Sequence, residues 1–250
     1  MAIAFVKKDP NTTLPAEATG VASLGTTFDS NTTSGNLLVA TGTTWVGGTA
    51  PTMTFSDNKS NDWSSLAVSQ LSPASVVRAA IGYAANVTGG STHTVTLTPS
   101  VTCDLCLGVA EYSGVALSSP ISGTPVGAGG SSTAPSSGAT TPAANALYVG
   151  AAAYAGSATT LVLNWASATQ LHNEPNTTYP TLGSAYIIGS GAMTAQWTLG
   201  ASRDWAACVA AFAEAVGGIT QSSVISASAS VPTHTAVILY PGSVIPTITL

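Results

Sequence analysis

Cys103-Asp104-Leu105-Cys106 is a C-x-x-C, the spacing with which many zinc and redox sites begin. The residues that follow, "LGVAEY", read as a β-strand, in which side chains three apart point to opposite faces. On that reading the two thiols share neither a metal nor a disulfide unless the segment bends. The remaining cysteine, Cys208, matches Cys106 in a second, similar stretch of chain, and whether these two pair is left open. His93, His172 and His234 have no ligand spacing, so no metal and no cofactor are expected. The thiols are read as small core residues.

The other reactive types are equally sparse. Asp57 and Asp62 fall in the turn-rich "SDNKSND", where an Asx side chain normally caps the backbone, and a dedicated Ca²⁺ loop would carry further acidic ligands. Neither "EYSGV" nor "IGSGA" is a G-x-S-x-G nucleophile turn. No catalytic residue is assigned, and the chain is expected not to be an enzyme. Trp45, Trp63, Trp165, Trp197 and Trp205 sit mostly inside apolar strand patterns and read as core anchors, with a sugar-stacking platform as the alternative.

Composition sets the frame for these residues. Charged side chains are 6% of the 250 residues, against about 25% in ordinary soluble proteins. The surface must therefore be built from Ser, Thr, Asn and Gly. The five cations Lys7, Lys8, Lys59, Arg78 and Arg203 are scattered, and the formal net charge is −5, which disfavours a nucleic-acid partner. The stretch "MAIAFVKKDP" is too short in apolar residues for a signal peptide, and the most apolar region, residues 143–168, is broken by Asn and Thr well before a membrane span is reached.

The chain says nearly the same thing twice. "GNLLVATG", "MTFSDNKSNDW", "RAAIGYAANV" and "THTVTLTPSVTCDLCLGVAEY" are echoed in order by "NALYVGAA", "TLVLNWASATQL", "GSAYIIGSG" and "MTAQWTLGASRDWAACVAAF". Val95-Thr96-Leu97 aligns with Trp197-Thr198-Leu199, and Cys106 with Cys208. "HTVTLT" and "TMTFSD" alternate at period two and predict half-buried strands; "LCLGVAEY" and "WAACVAAFA" are apolar at both parities and predict strands covered on both faces. The fold class expected is all-β: an antiparallel, jelly-roll-like β-sandwich built from two pseudo-repeated strand sets. Each set is expected to supply part of one double sheet over residues 1–216, the sets being joined by the Pro/Gly/Ser-rich stretch Pro120 to Pro142.

"GNLLVATG", "SDNKSNDW", "IGYAANVTGGSTHTVTLT" and "VAEYSGV" together resemble a family of low-charge β-sandwich structural proteins of tailed bacteriophages. The likeness spans roughly Phe28 to Val216 and is one of strands and turns, with no catalytic signature. It implies a virion protein made in the host cytoplasm, of the capsid decoration (cement) or tail accessory type. Its partners would be the major capsid protein or other virion subunits and further copies of itself, with no nucleic acid and no membrane. The alternative is a tail or fibre accessory protein with a glycan-binding sandwich.

Residues 217–250 are expected to form a separate linker and β-hairpin arm. "GGITQSSVISASAS" has no strong period, and "AVILYPGSVIPTITL" places two apolar runs around a Pro-Gly turn. Val237, Ile238, Leu239, Tyr240, Val244, Ile245, Ile248 and Leu250 are the expected partner-binding residues of that arm.

Overall fold

The computed structural model describes residues 1–63, 66–156, 159–174 and 181–216; the expected arm and its eight partner-binding residues lie outside the described residues. Met1–Ala215 form one compact unit. The first half carries β1 (Ala4–Asp9), β2 (Ala16–Val21), β3 (Leu24–Thr27), β4 (Leu37–Trp45), β5 (Met53–Asp57), β6 (Leu66–Leu71), β7 (Val77–Ala84), β8 (Thr94–Pro99) and β9 (Cys103–Ser113). The second carries β10 (Val126–Ser132), β11 (Ser136–Thr140), β12 (Ala146–Ala155), β13 (Leu161–Leu163), β14 (Thr169–Glu174), β15 (Leu182–Gly189), β16 (Met193–Leu199) and β17 (Arg203–Ala213). No helix occurs among the described residues, and the fold is all-β and antiparallel.

The repeat is written into the hydrogen bonding. β4 lies between β9 and β7, and β6 flanks β7; likewise β12 lies between β17 and β15, and β14 flanks β15. A small sheet has the order β3-β8-β5 in one half and β11-β16-β13 in the other. Counting β2 to β9 and β10 to β17 each as one to eight, both large sheets run one-eight-three-six-five and both small ones two-seven-four. This is a jelly-roll order with the fifth strand moved to the edge of the large sheet. Register agrees residue by residue: Thr43 stands opposite Cys106 as Ala151 stands opposite Cys208. Phe55 faces Leu97 as Leu161 faces Leu199, so the Val95 and Trp197 strands hold the same place in their small sheets.

Each strand set therefore closes its own sandwich, whereas the sequence reading had the two sets sharing one double sheet. The reason lies in the strands that are apolar at both parities. In β9, Cys103, Leu105, Leu107 and Val109 face the first small sheet, while Cys106, Ala110 and Tyr112 face the other half. β17 does the same with Trp205, Ala207, Val209 and Ala211 inward and Ala206, Cys208, Ala210 and Phe212 toward the seam. A sheet apolar on both faces needs a cover on each, and the result is four layers: small sheet, large sheet, large sheet, small sheet.

The stretch from Pro120 to Pro142 is a further correction. It is no linker, for it contains β10 and β11, the counterparts of β2 and β3. Its Gly-rich composition is a packing requirement. A Cβ on Gly129 would lie 2.5 Å from the Leu71 carbonyl oxygen, and one on Gly130 would lie 2.4 Å from the Trp205 ring. Close approach of backbone to backbone thus imitates the composition of a loop.

Replacing Gly129 by Ala should lower stability by roughly 1–3 kcal/mol, because the clash is with main chain that must move. Gly48→Ala, whose new methyl meets nothing within 4 Å, should stay within about 0.5 kcal/mol of the parent. Urea-melt midpoints compare them; equal midpoints would show that the Gly129 contact is not tight.

Candidate functional site

Three side chains far apart in sequence meet at one end of the first sandwich. His93, just before β8, places Nδ1 2.7 Å from the Thr32 hydroxyl and Nε2 3.1 Å from Asp57 Oδ2 at the end of β5. Asp57 accepts further bonds from the backbone N–H groups of Lys59 (2.8 Å) and Asn61 (3.1 Å), the Asn61 side-chain amide (2.8 Å) and the Trp63 indole (2.8 Å). Burial alone would raise this carboxyl, but the bonds from Trp63, Asn61 and His93 outweigh it and hold the acid down at about 2.

Hydroxyl, imidazole and carboxylate in sequence is the order of a hydrolytic triad. Here, however, His93 is fully buried and Thr32 nearly so, and the Thr32 backbone is bridged both ways to Gly90. Asp57 caps its own turn, as expected of an Asx residue there, and with five donors its oxygens are committed to N–H groups. The cluster fastens three loops together.

A second polar group lies on the face of β9 turned toward the first small sheet, away from the seam. Glu111 on β9 is buried; its Oε1 accepts from Thr33 N (2.8 Å) and Asn36 Nδ2 (2.6 Å), and Lys7 Nζ stands 3.4 Å from Oε2. Oε2 makes no hydrogen bond, so its charge is met by that lysine. Lys7 also donates to the Ser30 carbonyl and hydroxyl and to the Asn31 carbonyl. His172 on β14 reaches across to the first half, with Nε2 3.2 Å from the Pro10 carbonyl and Nδ1 3.3 Å from the Ser184 hydroxyl. Its ring lies on Gly108, where a Cβ would come within 2.3 Å. Burial, reinforced by the nearby Lys8 charge, lowers its pKa to about 4.

The cysteines are three free, buried thiols. Cys103 and Cys106 do lie on opposite faces of β9, in different cores. Burial pushes Cys103 up to about 11 and Cys106 and Cys208 well above the ordinary thiol range. Among the described residues no group of three or more His, Cys, Asp or Glu is placed to hold a metal. Trp63, Trp165, Trp197 and Trp205 are buried, whereas Trp45 is partly exposed and borders an open cleft of about 450 Å³. The buried histidines and Glu111 were not legible as sites in the sequence, because their partners stand tens of residues away.

Comparison with protein-family models, curated proteins and solved structures gives no match.

Two acid windows follow. His172 binds a proton more readily unfolded, near pH 6.5, than folded, near 4. Stability is full above about pH 6.5 and falls by up to about 3 kcal/mol as the pH drops toward 4. Asp57, depressed from about 3.8 to about 2, contributes stability that is lost below that window, as pH falls through about 2. Denaturant melts from pH 8 to 2 should resolve both, and His172→Gln should flatten the upper window alone. Thiol reagents test the burial: no cysteine should react in the native protein at pH 8, and all three should react in denaturant.

Proposed function

We propose that the protein is a non-enzymatic structural component of a tailed-bacteriophage virion, of the capsid decoration type, bound to the outer lattice of the head. The observation that carries the reading is the contrast between interior and surface. Reactive side chains are buried and spent on one another, as at Thr32, His93 and Asp57, whereas the outermost sheet faces present uncharged hydroxyls. On the first small sheet Thr27, Thr54, Ser56, Thr94, Thr96 and Thr98 form one outward array, with Thr27 and Thr94 bonded at 2.7 Å. Such a face has no charge to desolvate on docking and many hydroxyls with which to bond a neighbour. Acidic net charge favours the outside of a shell over its nucleic-acid side.

The sequence of residues 217–250 supports an attachment role in the same reading. The described chain ends beside the N-terminus, with Ala215 N bonded to the Gly114 carbonyl at 2.8 Å and the Met1 amine 3.4 Å from the Ala215 carbonyl. The proposal assigns the apolar residues from Val237 to Leu250 to the virion partner.

Quantitative mass spectrometry of purified particles is the direct test. A decoration protein should be present at a fixed high ratio to the major capsid protein, and a chain lacking residues 219–250 should stay folded but fail to join particles. Absence from particles overturns the virion reading; a handful of copies per particle moves the protein from head to tail.

A further inference from the structure

We propose that Lys7, Glu111 and Asn36 form an autocatalytic cross-linking site, at which the Lys7 amine becomes joined to the Asn36 side chain by an amide bond. Strand register brings the three together. Lys7 on β1 pairs directly with Glu111 on β9, and Glu111 pairs with Leu38 on β4, two residues after Asn36. Asn36 Nδ2 stands 2.6 Å from Glu111 Oε1, while Lys7 Nζ stands 3.4 Å from Oε2. Amine and carboxamide thus meet on the two oxygens of one carboxylate. Oε1 is held by the Thr33 N–H as well, at 2.8 Å, whereas Oε2, the oxygen turned to the lysine, has no hydrogen bond. The Lys7 bonds to Ser30 and to the Asn31 carbonyl keep the head of a long side chain at this spot, with the Phe28 ring centroid 5.9 Å from Nζ. The site lies outside the repeat: β1 has no counterpart in the second half, and Ala213 stands where Glu111 does. Strand pairing at this place therefore needs no carboxylate.

The reaction needs no co-reactant. Glu111 Oε2 takes a proton from the Lys7 ammonium, and the freed lone pair on Nζ attacks Asn36 Cγ to form the new C–N bond. A second Nζ proton passes through the carboxyl to Nδ2, the Cγ–Nδ2 bond breaks, and ammonia leaves with its electron pair. Nζ keeps one hydrogen, and Glu111 ends protonated. The Glu111 side chain is fully buried and that of Lys7 is 21% exposed, so the starting state holds a charge pair largely out of water. Such a pair gains little over its desolvation cost, and the product replaces it with a neutral carboxyl and a neutral amide. Fixing amine and carboxamide on one carboxylate supplies the proximity that amide exchange lacks in solution. The bond would fasten β1, which pairs only with β9, to the start of β4. This inference stands apart from the virion reading, since it is read on the purified chain whether or not particles carry it.

The test is intact-mass spectrometry of the purified, folded full chain, with allowance for removal of Met1. The chain should weigh less than the sum of its residues by one ammonia. Tryptic digestion after denaturation should give a branched peptide in which residues 1–8 are joined to residues 9–59 through Lys7 and Asn36. Lys7→Arg and Asn36→Ala should each show the full residue mass and no branched peptide, and Glu111→Gln should lose most of the linkage. Lys7→Arg keeps a cation opposite Glu111, so its circular dichroism should match the parent and separate loss of the reaction from loss of the fold. Full residue mass in the folded wild-type chain, ammonia loss that persists in Lys7→Arg, a branch at an asparagine other than Asn36, or undiminished linkage in Glu111→Gln would each overturn the proposal.

Discussion

Leu147, Val149, Ala151, Cys208, Ala210 and Phe212 of the second half close on Leu37, Val39, Ala79, Ile81, Cys106 and Tyr112 of the first, and the rest of the molecule is arranged around that seam. Each large sheet is apolar on its other face as well, so neither sandwich could stand alone without exposing a sheet face of Leu, Val and Ala. Such a patch on a free domain would be a site of association. Joining two copies in one chain covers both at once. Bringing two sheets so close also restricts side-chain size, which is why the seam strands are so rich in alanine and why β10 is nearly bare of side chains where it meets β6.

Apolar contact holds the halves together but does not by itself fix how they are aligned. That is the task of the polar bonds that cross the seam. The Thr43 hydroxyl donates to the Thr181 carbonyl at 2.8 Å, the Lys8 ammonium to the Leu171 carbonyl, and the Asn173 amide to the Thr13 carbonyl at 2.6 Å. The Asn173 bond and that of His172 to the Pro10 carbonyl tie the edge strand β14 to the segment between β1 and β2, and the Lys8 bond ties it to β1. Sliding the halves by one residue would leave such groups buried without partners, at about 1–3 kcal/mol each. A chain with so few charges relies on hydroxyls, amides and carbonyls for this specificity.

How much of this was legible in the sequence depended on distance. The β-class, the doubled strand order and the two-face burial of β9 and β17 were legible because a strand's period and composition are local. The expected match of Cys106 with Cys208 proved accurate to the residue for the same reason. β10 and β11 were not, since "VGAGGSS" carries no strand signal until the Leu71 backbone and Trp205 are set against it. The sharing of layers was misjudged because sequence shows that a strand is covered twice, not by what. His93, His172 and Glu111 were illegible for a related reason: a buried ionisable group is identified by partners 61, 162 and 104 residues away, respectively Thr32, Pro10 and Lys7.

An internal repeat also provides its own control for reading function. Where both copies keep a residue type, as at Gly42 and Gly150, packing explains it: an added Cβ would press on Phe55 and Leu97 in one half and on Ala195 and Trp197 in the other. Where the copies differ and the backbone register does not, strand pairing has tolerated both residues, and the larger one is explained by what its side chain touches. Buried differences such as Thr43 against Ala151 are accounted for by the seam, since the Thr43 hydroxyl has a partner across it. Trp45 against Ala153 and Asp204 against Thr102 are accounted for in the same way, since the Trp45 ring packs on the edge of the seam core and Asp204 accepts from the Ser131 hydroxyl.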